Sequence, residues 1–192
     1  METGEKKSLI RRLKDVPPVR LIVSSFFIII VIGAVLLALP ISARDRQATD
    51  LLSSFFTSTS ATCVTGLVVF DTWTHWSAFG QVVILSLIQI GGLGFMSIAS
   101  IFAFSLHKKL GLKQRMLLAQ AMSLNDMEGV VRLQKHVLVG TFSLESLGAL
   151  VLFFRFLPSY GPWNALKWGV FHSVSAFCNA GFDILGVLKP GS

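Results

Sequence analysis

The sequence predicts an all-α membrane protein of parallel repeats, each a span, a re-entrant loop and a second span. One repeat is complete and the next is incomplete. Three observations predict this. Long apolar runs carry no charge, basic residues gather in alternate segments, and one fourteen-residue pattern occurs twice, 115 residues apart. The 192 residues are 53% hydrophobic and 14% charged, with a mean hydropathy of +0.68. A soluble domain is about 45–50% apolar and about 25% charged. The composition therefore excludes disorder, which needs low hydrophobicity, and argues against a soluble enzyme. Two cysteines cannot build a multi-bridge secreted framework.

The first element is Leu21 to Leu39, nineteen residues without a charge. About twenty apolar residues span a bilayer as a helix. A signal peptide has an apolar region of about 7–15 residues, so this longer run reads as a retained span. Thr72 to Leu106 contains no Asp, Glu, Lys or Arg, and Phe79 to Leu106 reads as the second span. The third is Val137 to Leu157, with Glu145 near its middle and Arg155 near its end. Pro158, Gly161 and Pro162 break the stretch that follows.

Charge orients these spans. Twelve of the 17 basic residues lie before the first span or between the second and third. Only Arg44 and Arg46 lie between the first two. Loops rich in Lys and Arg stay cytoplasmic. The expectation is a multi-pass protein of the cell membrane with a cytoplasmic N-terminus (1–20). A first repeat (21–106), a cytoplasmic connector (107–136) and an incomplete second repeat (137–192) follow. The formal charge of +7 thus marks sidedness, with no nucleic-acid partner implied. The connector from Leu112 to Lys135 reads as a solvated link or as a docking surface for a cytoplasmic partner or anionic lipid.

The repeated pattern lies on the outer side. SFFTSTSATCVTGL, from Ser54, aligns with GVFHSVSAFCNAGF, from Gly169, with six identities in fourteen positions. About one is expected from average usage. Each copy starts with a short apolar stretch, about Asp50 to Thr62 and Ala165 to Phe177. Stretches of about 10–14 residues are re-entrant more often than spanning. Each ends in a small-residue segment: Cys63, Val64, Thr65 and Gly66, then Cys178, Asn179, Ala180 and Gly181. Non-helical backbone at membrane depth must be buried in protein or line an aqueous cavity. These eight residues are the candidate ion selectivity filter, acting through backbone carbonyls that replace a cation's hydration shell. Glycine suits the position because it reaches backbone angles closed to other residues.

At these residues a family becomes recognisable. TSTSATCVTGLVVFDT resembles the first pore loop of the Trk/Ktr/HKT superfamily of potassium transporters, SVSAFCNAGFDILG resembles the second, and QIGGLGFM (Gln89 to Met96) is similar to the stretch after the first loop. The resemblance runs from about Val19 to Gly186 and is strongest to bacterial Ktr and Trk members. It implies a potassium-channel-like fold of four repeats around one pore, with one filter glycine per repeat. Gly66 and Gly181 match the first two. Glycine at the first position implies potassium preference, where serine implies sodium. The resemblance also implies a homodimer and a cytoplasmic nucleotide-binding regulatory subunit. Potassium is then substrate, the bilayer is a partner, and neither a cofactor nor enzymatic chemistry is expected. Two loops where four are needed imply the N-terminal part of a longer translocating subunit. The alternatives are sodium or poorly selective cation transport, or a truncated non-conducting membrane subunit.

Other residues carry two readings each. Gly33, Gly91, Gly92 and Gly94 read as close helix contacts rather than a nucleotide loop. Glu145 is either a functional intramembrane acid or a carboxyl bonded to its neighbours. Cys63 and Cys178 read as packing rather than metal ligands, and His75 and His172 lack a catalytic partner. Asp71 and Asp183 either draw cations to the mouth or face solvent. Trp73, Trp76, Tyr160, Trp163 and Trp168 read as an interfacial belt.

Overall fold

A computed structural model describes residues 18–94 and 130–186. Helix α1 is Pro18–Ala38, and a 3-10 turn follows at Pro40–Ser42. Helix α2 is Leu51–Thr62 and α3 is Ala78–Leu93. The helical stretch Val130–Phe177 is divided at Gly161, whose φ of 75° and ψ of 166° are not helical. We call its parts α4 (130–160) and α5 (162–177). Among the described residues there are no strands, only an isolated bridge between Ala43 and Trp76.

At about 1.5 Å per residue, the 21 residues of α1 reach about 31 Å, the depth of a hydrocarbon core of about 30 Å. Lys135–Phe177 is long and apolar enough to cross a bilayer, but Gly161 divides it, so the crossing length falls within α4; the apolar stretches Ile22–Ala38 and Ala78–Leu93 are shorter. Helix α3 begins where the sequence places its second span, but Gly94, at φ 76°, caps it after Leu93. The rest of that expected span, 95–106, and the connector as far as residue 129 lie outside the described residues, as do 1–17 and 187–192.

Helices α2 and α5 are the two short apolar stretches of the sequence. Twelve residues make α2 about 18 Å long, too short to cross. Its start is set by Asp50, whose carboxylate accepts from the Ser53 amide at 3.2 Å, the usual way to satisfy a first-turn donor. Ser77 does the same for α3 through the Gly80 amide at 3.2 Å. Pro162 opens α5, where the missing amide hydrogen removes nothing from the ladder. Pro158 lies within α4, so the chain turns at Gly161 rather than at the proline.

The core lies where α1, α2, α3 and α5 meet, around Leu37, Ala61, Ile84, Ile88, Trp168 and Phe171. Close approach comes from glycine. A Cβ on Gly91 would run into the Thr62 carbonyl at the end of α2, and one on Gly92 into the Cys178 side chain. The glycine run of α3 thus touches both loop turns, as close contacts require. Trp76 and Trp168 depart from the belt reading: they are 1% and 2% exposed and lie in the protein interior. Trp163, at 72% exposure, fits the belt.

The end of α1 and the start of α3 are tied together through the segments that flank them. The Arg44 amide donates to the His75 carbonyl at 2.9 Å and the Ser77 amide to the Ser42 carbonyl at 2.8 Å. His75 stacks on Phe70 at 4.1 Å, and its Nε2 lies 3.0 Å from the Thr49 hydroxyl. Partial burial lowers the imidazole pKa below its usual value, opposed in part by Asp45.

Two expectations follow from this packing. Gly91→Ala should destabilise the protein by about 1–3 kcal/mol, the usual cost of overpacking, measured as a lower melting temperature in detergent. A depressed histidine contributes stability that is complete above pH 6.5 and is lost as pH falls from there towards the folded-state pKa. The melting temperature of the wild type should therefore fall more between pH 7.5 and 5.5 than that of His75→Phe; equal slopes would count against it.

Candidate functional site

The two loop turns share one geometry. Val64 and Asn179 have φ of 56° and 57°; Gly66 and Gly181 have φ of 78° and 72°. Cys63, Thr65, Cys178 and Ala180 stay on the negative side, so handedness alternates residue by residue. A positive φ in a valine is costly, because the β-branched side chain crowds the backbone. Arg46 and Gly161, at φ 57° and 75°, keep the same spacing before each turn.

Hydrogen bonds hold this alternation. In the first turn the Cys63, Val64 and Thr65 amides donate to the carbonyls of Thr59, Ala61 and Ser60, at 2.8, 3.3 and 3.0 Å. In the second, the Cys178, Asn179 and Ala180 amides donate to Val174, Ala176 and Ser175, at 2.9, 3.0 and 2.7 Å. The acceptors are helix-terminal carbonyls that would otherwise lack partners. Three successive donors in each turn are thus consumed. No hydrogen bond among the described residues ends on the carbonyls of Cys63 to Gly66 or Cys178 to Gly181.

The turns also meet. A Cβ on Gly66 would lie 2.7 Å from the Ala180 carbonyl oxygen and 3.3 Å from the Gly181 Cα. The structure therefore brings Gly66, Ala180 and Gly181 together, with Thr65 and Asn179 directly beside them, and places the other three candidates in the same two turns. Cys63 is exposed, while Cys178 is half-buried against Gly92. The packing reading thus fits Cys178 better than Cys63.

Buried hydroxyls seat the two short helices. Ser58 donates to the Ile30 carbonyl of α1 at 2.7 Å, and Ser173 to the Glu145 carbonyl of α4 at 2.6 Å. Gly33 and Gly148 lie directly under these hydroxyls, and a Cβ on either would strike one. Within the turns, the Ser60 hydroxyl lies 2.9 Å from the Thr65 hydroxyl, and Ser175 donates to the Phe182 carbonyl at 2.6 Å. His172 bridges α5 and the segment after its turn. Its Nε2 accepts from the Ile184 amide at 3.3 Å, which leaves Nδ1 to donate to the Trp168 carbonyl at 2.8 Å.

Glu145 is 5% exposed, and Gln89 Nε2 donates to both of its oxygens, at 2.9 and 3.1 Å. This is the bonded-carboxyl reading, with Gln89 of α3 as the partner that the sequence left unidentified. Asp71 accepts from the Thr74 amide at 2.6 Å and Asp183 from the Leu185 amide at 3.0 Å, so each closes a turn beyond its loop. Gly33, Gly148, Ser58 and Ser173 were findable: the 115-residue offset continues upstream, pairing Phe27 with Phe142, Gly33 with Gly148 and Leu37 with Leu152.

Short paired helices with carbonyl-bearing turns, set among apolar helices, fit an all-α membrane protein. Comparison with known sequences narrows this: residues 9–186 match the TrkH cation transport protein family, and the chain belongs to that family. It is 42% identical over 181 residues to the potassium/sodium uptake protein NtpJ of Enterococcus hirae, covering 94% of this chain and 40% of that one. It is 44% identical over 182 residues to the Ktr system potassium uptake protein B of Bacillus subtilis, covering 95% and 40%. Its Vibrio alginolyticus namesake is 37% identical over 166 residues, covering 86% and 36%. The chain thus spans about 40% of the length of these curated relatives.

The turns require glycine for its backbone angles, the helix contacts require it for space, and Gly140 requires it for neither. Gly66→Ala and Gly181→Ala should each lower stability by about 1–2 kcal/mol, the cost of a left-handed non-glycine residue. Gly140→Ala, where a Cβ meets nothing within 4 Å, should be neutral or stabilising by up to about 1 kcal/mol. Thermal melts of the three variants rank them, and equal melting temperatures would contradict the assignment.

Proposed function

We propose that this chain contributes two of the loops of a potassium uptake pore, with Cys63 to Gly66 and Cys178 to Gly181 as filter residues. The observation that carries this is the consumption of amide donors in both turns. Alternating handedness can also build a concave row of N–H groups that binds anions. Here those groups are spent on the helix ends, and carbonyl oxygens remain. Oxygen ligands suit a hard cation, and a dehydrated potassium ion needs them in place of water.

The family membership and the names of the relatives support cation uptake. The proposed architecture is a parallel pair of span–loop–span units with the N-terminus in the cytoplasm, in the cell membrane. Two turns cannot close a ring. The pore is therefore proposed for the assembly in which they meet two more such loops. A homodimer and a cytoplasmic nucleotide-binding subunit complete the proposal, in keeping with relatives named as parts of a Ktr system. No covalent chemistry is required. Sodium is a second reading, because one relative is named for both ions.

The test is growth and ion flux. The parent-length protein, expressed in cells lacking potassium uptake, should restore growth at low potassium, with uptake that sodium inhibits weakly. Gly66→Ser should lower the preference for potassium over sodium about tenfold, equivalent to about 1.4 kcal/mol. Membrane-inserted protein without rescue would overturn the proposal, and unchanged preference in Gly66→Ser would overturn the role of Gly66.

A further inference from the structure

A cavity of about 860 Å³ lies where α1 ends and α3 begins, lined by Arg44, Arg46 and Lys167 together with apolar Ile41 and Phe79. No carboxylate is among its lining residues, all of which are described. Three cations there are unexpected. The outer side is poor in basic residues, as the bias of basic residues to the cytoplasm requires, yet three of its few gather on one cavity. Arg44 is held in place: its guanidinium lies 4.3 Å from the Trp73 ring centre, and its Nε donates to the Trp76 carbonyl at 3.3 Å. The terminal nitrogens of the fork remain for a ligand. Ser77, Ala78 and Phe79 place the N-terminus of α3 on the same cavity, where the helix dipole favours negative charge.

The cavity continues inward. Lys167, Ala78 and Gln81 also line a groove of about 410 Å³ between α3 and α5, whose walls include Val82, Leu166 and Val170. Leu85 and Val170 connect it to a third hollow of about 340 Å³ that ends at Gln89 and Glu145. From Ala78 to Gln89, α3 rises about 16 Å. That is about half of a hydrocarbon core of about 30 Å. A cationic mouth at the outer end and an apolar channel one leaflet deep match a single kind of ligand.

We propose that this groove binds an anionic phospholipid of the outer leaflet. The phosphate sits on Arg44, Arg46 and Lys167, and one acyl chain runs between α3 and α5. Guanidinium forks pair with phosphate oxygens through parallel hydrogen bonds, and Lys167 adds a point charge at the junction of cavity and groove. The inference rests on the membrane orientation proposed above and is independent of which ion is moved.

Native mass spectrometry of the full-length protein tests it, with phosphatidylglycerol and phosphatidylcholine of identical chains as probes. The wild type should retain phosphatidylglycerol with at least about tenfold preference. Arg44→Gln, Arg46→Gln and Lys167→Gln together should abolish that preference, and Arg44→Lys with Arg46→Lys should restore most of it. Lys167→Gln alone should weaken it about threefold to tenfold, which keeps the proposal testable if the triple variant does not fold. Val170→Trp should fill the groove and release the lipid with all three cations in place. Soluble glycerol phosphate at millimolar concentration should not displace it. The proposal is overturned if the triple variant keeps its preference, if Val170→Trp retains the lipid, or if glycerol phosphate competes as well as the lipid. Potassium uptake is scored separately. A protein that holds the lipid but moves no potassium supports this site and overturns the transport reading.

Discussion

A short helix that ends inside the protein leaves its last carbonyls without intrahelical partners, and buried acceptors must find others. Everything else in this fold accommodates that constraint. Both short helices answer it alike: the chain reverses into left-handed angles so that three amides return to the helix end. The strain at Val64 and Asn179 is what the reversal costs. It persists because an unmade buried hydrogen bond costs about 1–3 kcal/mol, comparable to the strain itself. The outcome reverses the polarity of the loop. Donors point into the helix and acceptors are left outward.

A reversed chain of this kind must be held laterally, and two hydroxyls do so. Ser58 and Ser173 reach carbonyls on the neighbouring long helices only because Gly33 and Gly148 let the backbones come close. The two units differ where they join. Glu145 stands where Ile30 stands in the first unit, and its carboxyl is gripped by Gln89 of α3. Gly92 against Cys178 and Gly66 against Ala180 complete the seam. Removing one member of the Gln89–Glu145 pair would strand the other in a buried site. Replacing both with apolar groups would not, since the penalty lies in the unpaired group.

Much of this was legible in the residues. Asp50 and Ser77 announce helix starts, and Gly66 and Gly181 announce left-handed turns. The offset that relates the loops also relates Arg46 to Gly161 and Val64 to Asn179. Asparagine tolerates a positive φ and so hints at it; valine gives no such hint, and Val64 is legible only through its partner in the second copy. Trp76 and Trp168 were opaque for another reason. An aromatic ring serves a wet interface and a dry core equally well, and its sequence neighbours do not tell them apart. Gln89 was hidden inside a glycine run, because its role depends on Glu145, 56 residues away. Pairing across that distance is a property of the packing and not of any local pattern.

The outer cations raise a question of charge that the proposed ligand resolves. A protein that gathers cations from outside gains from a negative or neutral approach, since like charge lowers the local ion concentration. Arg44, Arg46 and Lys167 work against this if bare. Screening limits their reach to about 8 Å at physiological salt, but less so in a cavity with apolar walls, where field lines are not shielded by water. A phosphate seated among them would offset that charge, leaving the acidic groups of these segments, Asp71 and Asp183 after the loops among them, on the approach. Lipid binding and cation passage are then linked by electrostatics alone. On that proposal, Arg44, Arg46 and Lys167 are paired with a ligand rather than bare.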